Sequence, residues 1–303
     1  MMDVVTTRLV NPDLRARLDG GARPPCRIRR PGHLALEVAD LGRAVDFYTR
    51  ILRLVRVEEV GGVVYLRSQF EHHCLELHGT GRPGLHHAGW ETDSDQETDA
   101  LHDALVRLGV PVRDAPPEPG RRGRAFQFQD PMGFWHEVYR AMDRLPVLVS
   151  NGPFPVLRQA HFAFNSPDVD RDLEFFRAVG FRVSDWSPGR QASLRCLPEH
   201  HNISLFAHGR PRFHHQGFDI GSWEHLKGIL DWMAQQEYPV EVGPVRHALG
   251  NNISIYLLDP DRFRTELFCE MEQIPDDEDH ENRRQPPLFD LWRRQPVPAG
   301  FRE

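Results

Sequence analysis

The sequence predicts an α+β protein made of two similar domains, and three observations support this fold class. First, histidines and glutamates recur at matching intervals in the two halves of the chain. In the first half, the steps between His33, His73, His87 and Glu137 are 40, 14 and 50 residues. In the second half, the steps between His161, His201, His215 and Glu266 are 40, 14 and 51 residues. Second, strand and helix patterns follow the same order in each half. Third, an Asp-Pro turn precedes the last strand of each half, so the sequence indicates a duplicated unit.

Each half begins with a strand and a helix. The segments HLALEV and HFAFNS alternate polar and apolar residues, which is typical of a strand with one buried face. The segments DLGRAVDFYTRIL and SPDVDRDLEFFRAV follow, and each opens with an Asp or Ser suited to cap a helix. Two or three short strands are expected after each of these helices.

The second part of each half repeats this order. A strand with a histidine pair comes next, in LHHAGWET and in FHHQGFDI. A second helix is expected after Ser94 and after Ser222, and the turns Asp130-Pro131 and Asp259-Pro260 lead into the last strands. A strand, a helix and a run of strands therefore occur twice in each half, which assigns the α+β class.

The repeat and the composition of its flanks divide the chain into five parts. We expect an N-terminal arm over 1–30, a first domain over 31–142, a proline-containing linker over 143–158, a second domain over 159–272 and a tail over 273–303. The tail is acidic at its start and then aromatic and basic.

Composition narrows the classes of function. The chain has 303 residues, 40% of them hydrophobic and 27% charged, which fits a globular protein. Its net charge of −7 gives no reason to expect nucleic acid or an anionic membrane as partner. The first residues lack the apolar core of a signal peptide and no apolar run has the length of a membrane helix, so we expect a cytoplasmic protein. Four scattered cysteines make a disulfide framework or a thiolate zinc site unexpected.

Three residues of the second half have the chemistry of a metal site. His161, His215 and Glu266 each lie near the start of a predicted strand, and two imidazoles with one carboxylate can hold one face of an octahedral metal. The opposite face then stays open, as in non-haem Fe(II) oxygenases. Zinc also accepts these ligands, but the chain has no HExxH helix. Strand alternation allows only one histidine of each HH pair to serve such a site.

The segments HNISLFAHG, FHHQGFDI and GPVRHALGNNISIYLLDPDRFRTEL resemble type I extradiol ring-cleaving dioxygenases of the vicinal-oxygen-chelate superfamily, and most of all the catechol 2,3-dioxygenases. The resemblance covers about residues 31–272. It implies two tandem vicinal-oxygen-chelate domains, each a pair of βαβββ modules that form a barrel-like sheet around a central site. One departure is Arg262, where the family usually has Gly or Pro.

The resemblance also implies roles for individual residues. The Fe(II) ligands are His161, His215 and Glu266. The acid–base histidine is His201, or His200 if the register of HHNI slips by one. The residues that hydrogen-bond the bound substrate and oxygen are His247 and Tyr256. His214 then points into packing or water, and only His215 is needed for the metal.

The implied reaction is Fe(II)-dependent cleavage of a small aromatic diol by O2 as co-substrate, beside the two hydroxyls, to a muconic-semialdehyde-type product. Mn(II) accepts the same ligands. Val242 stands where members acting on homoprotocatechuate carry a basic residue, which favours a diol without a carboxylate. The alternative is that Arg246, Arg283 or Arg284 serves a substrate carboxylate instead. The family also implies a homo-oligomer, a tetramer or larger. The alternatives are a metal-dependent glyoxalase or thiol transferase, and a bleomycin-resistance-like binding protein.

The first half keeps a candidate second metal set, His33, His87 and Glu137, with His73 in the place of His201. The groups around the ligands differ, because Gln127 takes the place of Tyr256. Two interpretations are open: a site that binds metal and cleaves poorly, or relics packed under the neighbouring strands.

Overall fold

The computed structural model describes residues 27–146, 154–275, 288–294 and 300–301. Most of the predicted N-terminal arm, part of the linker and most of the tail lie outside these ranges. Within them, no helix is long and apolar enough to cross a membrane.

The first domain contains eight strands and two helices. Its strands are β1 Ile28–Val38, β2 Val55–Val60, β3 Val63–Arg67, β4 Leu75–Gly79, β5 Gly84–Thr92, β6 Val112–Asp114, β7 Arg121–Gln129 and β8 Trp135–Met142. Its helices are α1 Leu41–Asp46, which continues as a π-helical segment Phe47–Ile51, and α2 Asp95–Arg107.

The second domain repeats the same elements in the same order. Its strands are β9 Arg158–Ser166, β10 Arg182–Ser187, β11 Gln191–Arg195, β12 Ile203–Ala207, β13 Arg212–Asp219, β14 Val242–Arg246, β15 Ile253–Leu258 and β16 Arg264–Cys269. Its helices are α3 Val169–Val179 and α4 Trp223–Gln235.

The strands form two curled sheets with the same topology. The strand order is β2-β3-β4-β1-β5-β8-β7-β6 in the first sheet and β10-β11-β12-β9-β13-β16-β15-β14 in the second. In both, a βαβββ unit occurs twice, and the first strands of its two copies pair antiparallel at the centre. The predicted fold class is therefore confirmed, and the central strands carry the histidines of the repeat.

Three of the four described helices begin after the predicted cap, Asp40, Ser94 or Ser222, but α3 begins after Asp168 and not after Ser166, whose hydroxyl contacts Asp172 and the Asp168 N–H instead. The side chains of Asp40 and Asp168 accept hydrogen bonds from backbone N–H groups three residues ahead, as do those of Ser94 and Ser222. These caps satisfy N–H groups that have no partner inside the helix.

A bulge interrupts β13 directly at its histidine pair. Phe213 and His215 pair with successive residues of β9, so His214 is an extra residue between them. His86 occupies the same position in β5. A bulge breaks the alternation of side chains and re-aims them, so both histidines of a pair can face one site.

The two domains share one apolar core. Trp90 of β5 packs edge-to-face on Phe162 of β9, with the ring centroids 5.1 Å apart. Hydrogen bonds also join the two domains. Tyr48 Oη donates to Asp259 Oδ2 over 3.0 Å, and Trp232 Nε1 donates to the Ile51 carbonyl over 3.2 Å. The turn that leads into β16 is thus anchored by the first domain.

The Asp-Pro turn of the second domain keeps its shape despite Arg262. Asp259 Oδ1 accepts from the N–H groups of Asp261 and Phe263, and Arg262 between them has φ 68°. The equivalent residue of the first domain is Gly133, with φ 95°. The turn therefore requires a left-handed residue, and Arg262 adopts that conformation at a cost in strain.

Arg262→Gly should accordingly raise the free energy of unfolding by about 1 kcal/mol. Glycine relieves the left-handed strain of the folded state, and the larger entropy that it gives the unfolded chain offsets only part of this effect. Chemical denaturation would measure it. Gly133→Ala is the matched control and should destabilise, since no neighbouring atom lies within 4 Å of the added Cβ and only the backbone angle resists it. Equal stability of all three proteins would contradict this account.

Candidate metal centre and active site

Three predicted ligand atoms lie together at the centre of the second sheet. His161 Nε2 is 3.1 Å from His215 Nε2 and 3.0 Å from Glu266 Oε2, and His215 Nε2 is 3.1 Å from the same oxygen. All three side chains are buried. Ligands at right angles around an ion about 2.1 Å away are about 3 Å apart, so this triangle fits one face of an octahedral metal.

Glu266 is oriented by its other oxygen. Oε1 accepts hydrogen bonds from Asn252 Nδ2, over 2.8 Å, and from Ser254 Oγ. Burial alone would raise the pKa of the Glu266 carboxyl, but the adjoining His161 and His215 rings hold that pKa well below its usual range. The group is therefore a carboxylate with Oε2 directed at the two imidazoles.

His214 packs on the rings of Phe206 and Phe301, as expected, but it also lines the cavity, so the expectation that it points away from the site is wrong. Its Nδ1 lies 2.6 Å from His215 Nδ1, and its Nε2 lies 2.6 Å from the Phe301 carbonyl. The physical reason is the bulge at His214, which turns it towards the same cavity as His215.

The contacts of His214 fix the tautomer of His215. A carbonyl only accepts, so His214 Nε2 carries a hydrogen. Burial, then His215 and Arg264, hold the pKa of His214 well below its usual range, which keeps the ring neutral and leaves its Nδ1 as an acceptor. His215 Nδ1 then donates to it, and His215 Nε2 faces the site with a lone pair, as a metal ligand must.

His201, and not His200, reaches the site. The His201 ring centroid is 4.8 Å from that of His161, and His201 lines the cavity. His200 is fully buried behind it, with Nε2 2.5 Å from Asp185 Oδ2 and Nδ1 3.0 Å from His201 Nδ1. The Asp185–His200 pair therefore orients the His201 ring through its Nδ1.

His247 and Tyr256 form a hydrogen-bonded pair, with Nε2 and Oη 2.8 Å apart. Burial, followed by the nearby Glu266 carboxylate, raises the pKa of Tyr256 well above its usual range, so its hydroxyl stays protonated. Phe289 packs on His247 and Phe301 on Tyr256, with ring centroids 4.7 Å apart in each case. Residues of the C-terminal tail thus cover this pair.

A cavity of about 470 Å³ joins these groups. Its polar lining includes His201, His247, Tyr256 and Glu266, and apolar walls come from residues of β12, a loop before β15 and the tail: Phe206, Ala207, Ala248, Leu249, Leu288, Phe289 and Phe301. Arg190 also lines it. Apolar walls around a few convergent polar groups are typical of a small-molecule site.

The site also depends on a glycine. A Cβ at Gly217 would lie 2.0 Å from Cε1 of His161, and one at Gly89 of the first domain 2.5 Å from Cε1 of His33. The strand that carries the HH pair therefore needs a residue without a side chain where the neighbouring ligand histidine crosses it.

In the first domain the structure brings His33 and His87 together, with their Nε2 atoms 2.7 Å apart, but it corrects the predicted carboxylate. Glu137 Oε2 is 4.0 Å from His87 Nε2. Arg121 Nη1 donates to Glu137 Oε1 over 2.5 Å and Gln127 Nε2 to Oε2 over 2.8 Å, so this carboxylate is already held. Glu76 lies nearer, with Oε1 3.0 Å from His33 Nε2.

Comparison with known proteins assigns the family. The model of the Glyoxalase/Bleomycin resistance protein/Dioxygenase superfamily matches residues 30–138 and 158–267. The chain therefore belongs to this superfamily.

The relatives identify the enzyme class within it. The chain is 25% identical to the metapyrocatechase of Pseudomonas sp. (strain CF600) over 264 residues, which cover 80% of this chain and 86% of that protein. It is 25% identical to the manganese-dependent 2,3-dihydroxybiphenyl 1,2-dioxygenase of Geobacillus genomosp. 3, over 80% of this chain and 85% of that one.

A solved structure agrees with these relatives. The homoprotocatechuate 2,3-dioxygenase of Arthrobacter globiformis superposes with a TM-score of 0.84 at 26% identity, covering 93% of each chain. These comparisons confirm the predicted resemblance and the predicted enzyme class, the extradiol ring-cleaving dioxygenases. Enzymes of this class are metal-dependent, and the chain has a group of residues suited to a metal.

Proposed function

We propose that His161, His215 and Glu266 bind Fe(II), and that the protein cleaves a catechol-type diol with O2, beside the two hydroxyls, to a muconic-semialdehyde-type product. The observation that carries this proposal is the triangle of three ligand atoms, 3.0–3.1 Å on each side, at a cavity that also contains His201 and the His247–Tyr256 pair. When bound, the ferrous ion would supply Lewis acidity and redox chemistry for the reaction between the diol and O2.

The chain's own residues would supply the remaining functions. His201 would take a proton at Nε2 when the diol ionises, and return it as the ring opens. Its other nitrogen is held by His200, which Asp185 holds in turn. Tyr256 would donate a hydrogen bond to oxygen atoms that become negative, with His247 fixing its hydroxyl. The apolar walls would exclude water and hold the ring in place.

We propose a neutral diol as the substrate. Val242 pairs with Tyr256 across β14 and β15 and packs against the cluster of Tyr256 and Phe301, so an apolar side chain takes the position of the basic residue. Steady-state rates for catechol, methylcatechols, dihydroxybiphenyl and homoprotocatechuate test this. A higher kcat/KM for homoprotocatechuate, lost in Arg190→Gln, would instead assign Arg190 as the partner of a substrate carboxylate.

Anaerobic addition of Fe(II) to metal-free protein, followed by oxygen uptake on catechol, tests the activity itself. We expect uptake of one O2 per catechol and a yellow ring-opened product. Thiol transfer without oxygen uptake would favour the glyoxalase alternative, and ligand binding without turnover would favour the binding protein. The same titration with Mn(II) distinguishes the two metals, since one relative is named manganese-dependent.

His214→Ala should weaken metal binding at this centre about 10- to 100-fold, because the variant leaves His215 Nδ1 without its acceptor and the ring free to turn. His214→Asn is the matched control, since an amide oxygen can take the place of Nδ1. Competition with a chromogenic chelator gives the affinity. Unchanged affinity in His214→Ala would return His214 to the role of a packing residue.

Gly217→Ala should displace His161 and reduce metal content at this centre at least about 10-fold, with a loss of about 1–3 kcal/mol of stability from overpacking. Gly228→Ala is the control: it lies in α4 with its nearest neighbour 4.0 Å away, so it should keep the metal and gain helix stability. Metal analysis and thermal unfolding of both variants check this. Normal metal in Gly217→Ala would show that His161 is not a ligand.

We also propose a cytoplasmic homo-oligomer, a tetramer or larger, on the strength of the family resemblance. Light scattering on the purified protein tests the assembly, and a monomer would contradict it. Fractionation of the producing cells tests the location.

A further inference from the structure

The first domain contains a buried cluster that the proposed reaction does not use. One atom each from His33, Glu76, His87 and Glu118 lies within 4.8 Å of all the others. His33 Nε2 is 2.7 Å from His87 Nε2 and 3.0 Å from Glu76 Oε1, and His87 Nε2 is 3.6 Å from that oxygen. Two imidazole nitrogens and two carboxylate oxygens therefore face one another in one cluster.

Both carboxylates are oriented in the way that Glu266 is. Glu76 Oε2 accepts from His78 Nε2 over 3.0 Å, and Glu118 Oε2 accepts from Arg121 Nη1 over 3.1 Å. The second oxygen of each, Oε1, is buried and accepts no hydrogen bond from any described residue. Each carboxylate is thus held by one oxygen and presents the other to the cluster.

Several buried polar atoms of the cluster lie close together without the alignment of a hydrogen bond. His73 Nε2 is 2.6 Å from Glu118 Oε1, an ion-pair distance, yet neither atom makes a hydrogen bond of acceptable geometry with a described residue. Buried polar atoms are normally paired, and an unpaired group calls for a specific reason. A cation at the point of convergence supplies one.

The ring nitrogens on the far side are also engaged. His33 Nδ1 lies 3.2 Å from Tyr139 Oη, and His87 Nδ1 lies 2.7 Å from His86 Nδ1. These contacts hold both rings with Nε2 towards the cluster, as partners of metal-bound histidines do.

The charges of the cluster also favour a bound cation. Glu76, Glu118 and Glu137 bring three carboxylates into the interior of the domain, and Arg121 contacts two of them with a single positive charge. The neighbouring rings of His33, His73 and His78 add positive charge beside these carboxylates only when they are protonated. A divalent cation would compensate the carboxylates with the same rings neutral.

We propose that His33, His87, Glu76 and Glu118 hold a second divalent transition-metal ion, separate from the one at His161, His215 and Glu266. Imidazole and carboxylate together suit Zn(II), Mn(II), Fe(II) and Co(II). Four protein ligands fill the coordination positions that a substrate would need, and closed sites of this kind are structural. The ion therefore stabilises the first domain and does not turn over substrate.

The test is a count of ions per chain on metal-free full-length protein, loaded with Co(II) alone and measured by mass spectrometry and by the visible absorption of the bound ion. We expect two ions in the wild type, one in His215→Ala and one in Glu76→Gln. Glu137→Gln is the matched control and should keep two, because Glu137 is buried with Oε2 4.0 Å from His87 Nε2 but is engaged with Arg121.

Each variant addresses one centre, so the two proposals fail separately. A His215→Ala protein that binds no ion overturns the proposed second site. The proposal is also overturned if Glu137→Gln binds one ion fewer than the wild type while Glu76→Gln binds two. If a glutamate variant fails to fold, the His215→Ala protein decides alone: Co(II) should raise its melting temperature, because an ion bound only to the folded state stabilises it. No shift and no bound ion would overturn the proposal.

Discussion

Replacing His215 with alanine should remove the C-terminal metal and abolish ring cleavage. His215 Nε2 forms one corner of the triangle with His161 Nε2 and Glu266 Oε2. Its loss leaves two protein ligands, too few for the facial set that a non-haem iron site of this type uses. The remaining imidazole and carboxylate lie 3.0 Å apart and would pair with each other.

Metal content and oxygen uptake on catechol measure this effect, in protein whose folding is verified by circular dichroism. His208→Ala is the matched control, because His208 lies close in sequence and does not line the cavity. It should keep full activity. Retained cleavage in His215→Ala would mean that the reaction takes place elsewhere, and the first domain would then be the place to examine.

Replacing His201 with asparagine should leave the metal bound and slow turnover by about 10²- to 10⁴-fold, the usual contribution of a positioned acid–base group. His201 is held through its Nδ1 by His200, while its other nitrogen adjoins the cavity. Asparagine cannot exchange a proton near neutral pH. The ground-state complex should therefore form normally and then react slowly.

Single-turnover kinetics separate the two stages, since substrate binding and ring opening have different absorption changes. Tyr256→Phe, which removes one hydrogen-bond donor and no titrating group, should slow turnover less. Loss of metal in His201→Asn would make this residue a ligand. Turnover within a factor of two of the wild type would make it a packing residue.

The fold and the candidate ligands of the second domain could be predicted because the two halves of the sequence repeat the same spacing of histidines and glutamates. His161, His215 and Glu266 occupy strand positions that the fold brings together, so fixed intervals along the chain become contacts in space. His247 and Tyr256 were predicted from the resemblance to extradiol dioxygenases alone, and in the structure they lie 2.8 Å apart. The positions of side chains on paired central strands can be predicted from the strand pairing alone.

The remaining details depend on local geometry that spacing does not reveal. Alternation predicted that His214 faces away, and the bulge reverses this. Glu137 has the spacing of Glu266, yet Arg121 draws its carboxylate aside and Glu76 approaches His33 instead. One signal was present in the sequence: histidines occur as adjacent pairs at four corresponding places, which indicates that the pair, and not one member, is the working unit.

The shared apolar core has a consequence for how a duplicated protein diverges. Trp90 of the first domain and Phe162 of the second complete each other's packing, and Tyr48 secures the turn before the strand that carries Glu266. Deleting the first copy would leave an apolar surface of the second exposed and its turn unsupported. Selection for the chemistry of the second domain therefore suffices to retain both domains. The first domain is free to change its metal ligands and its role.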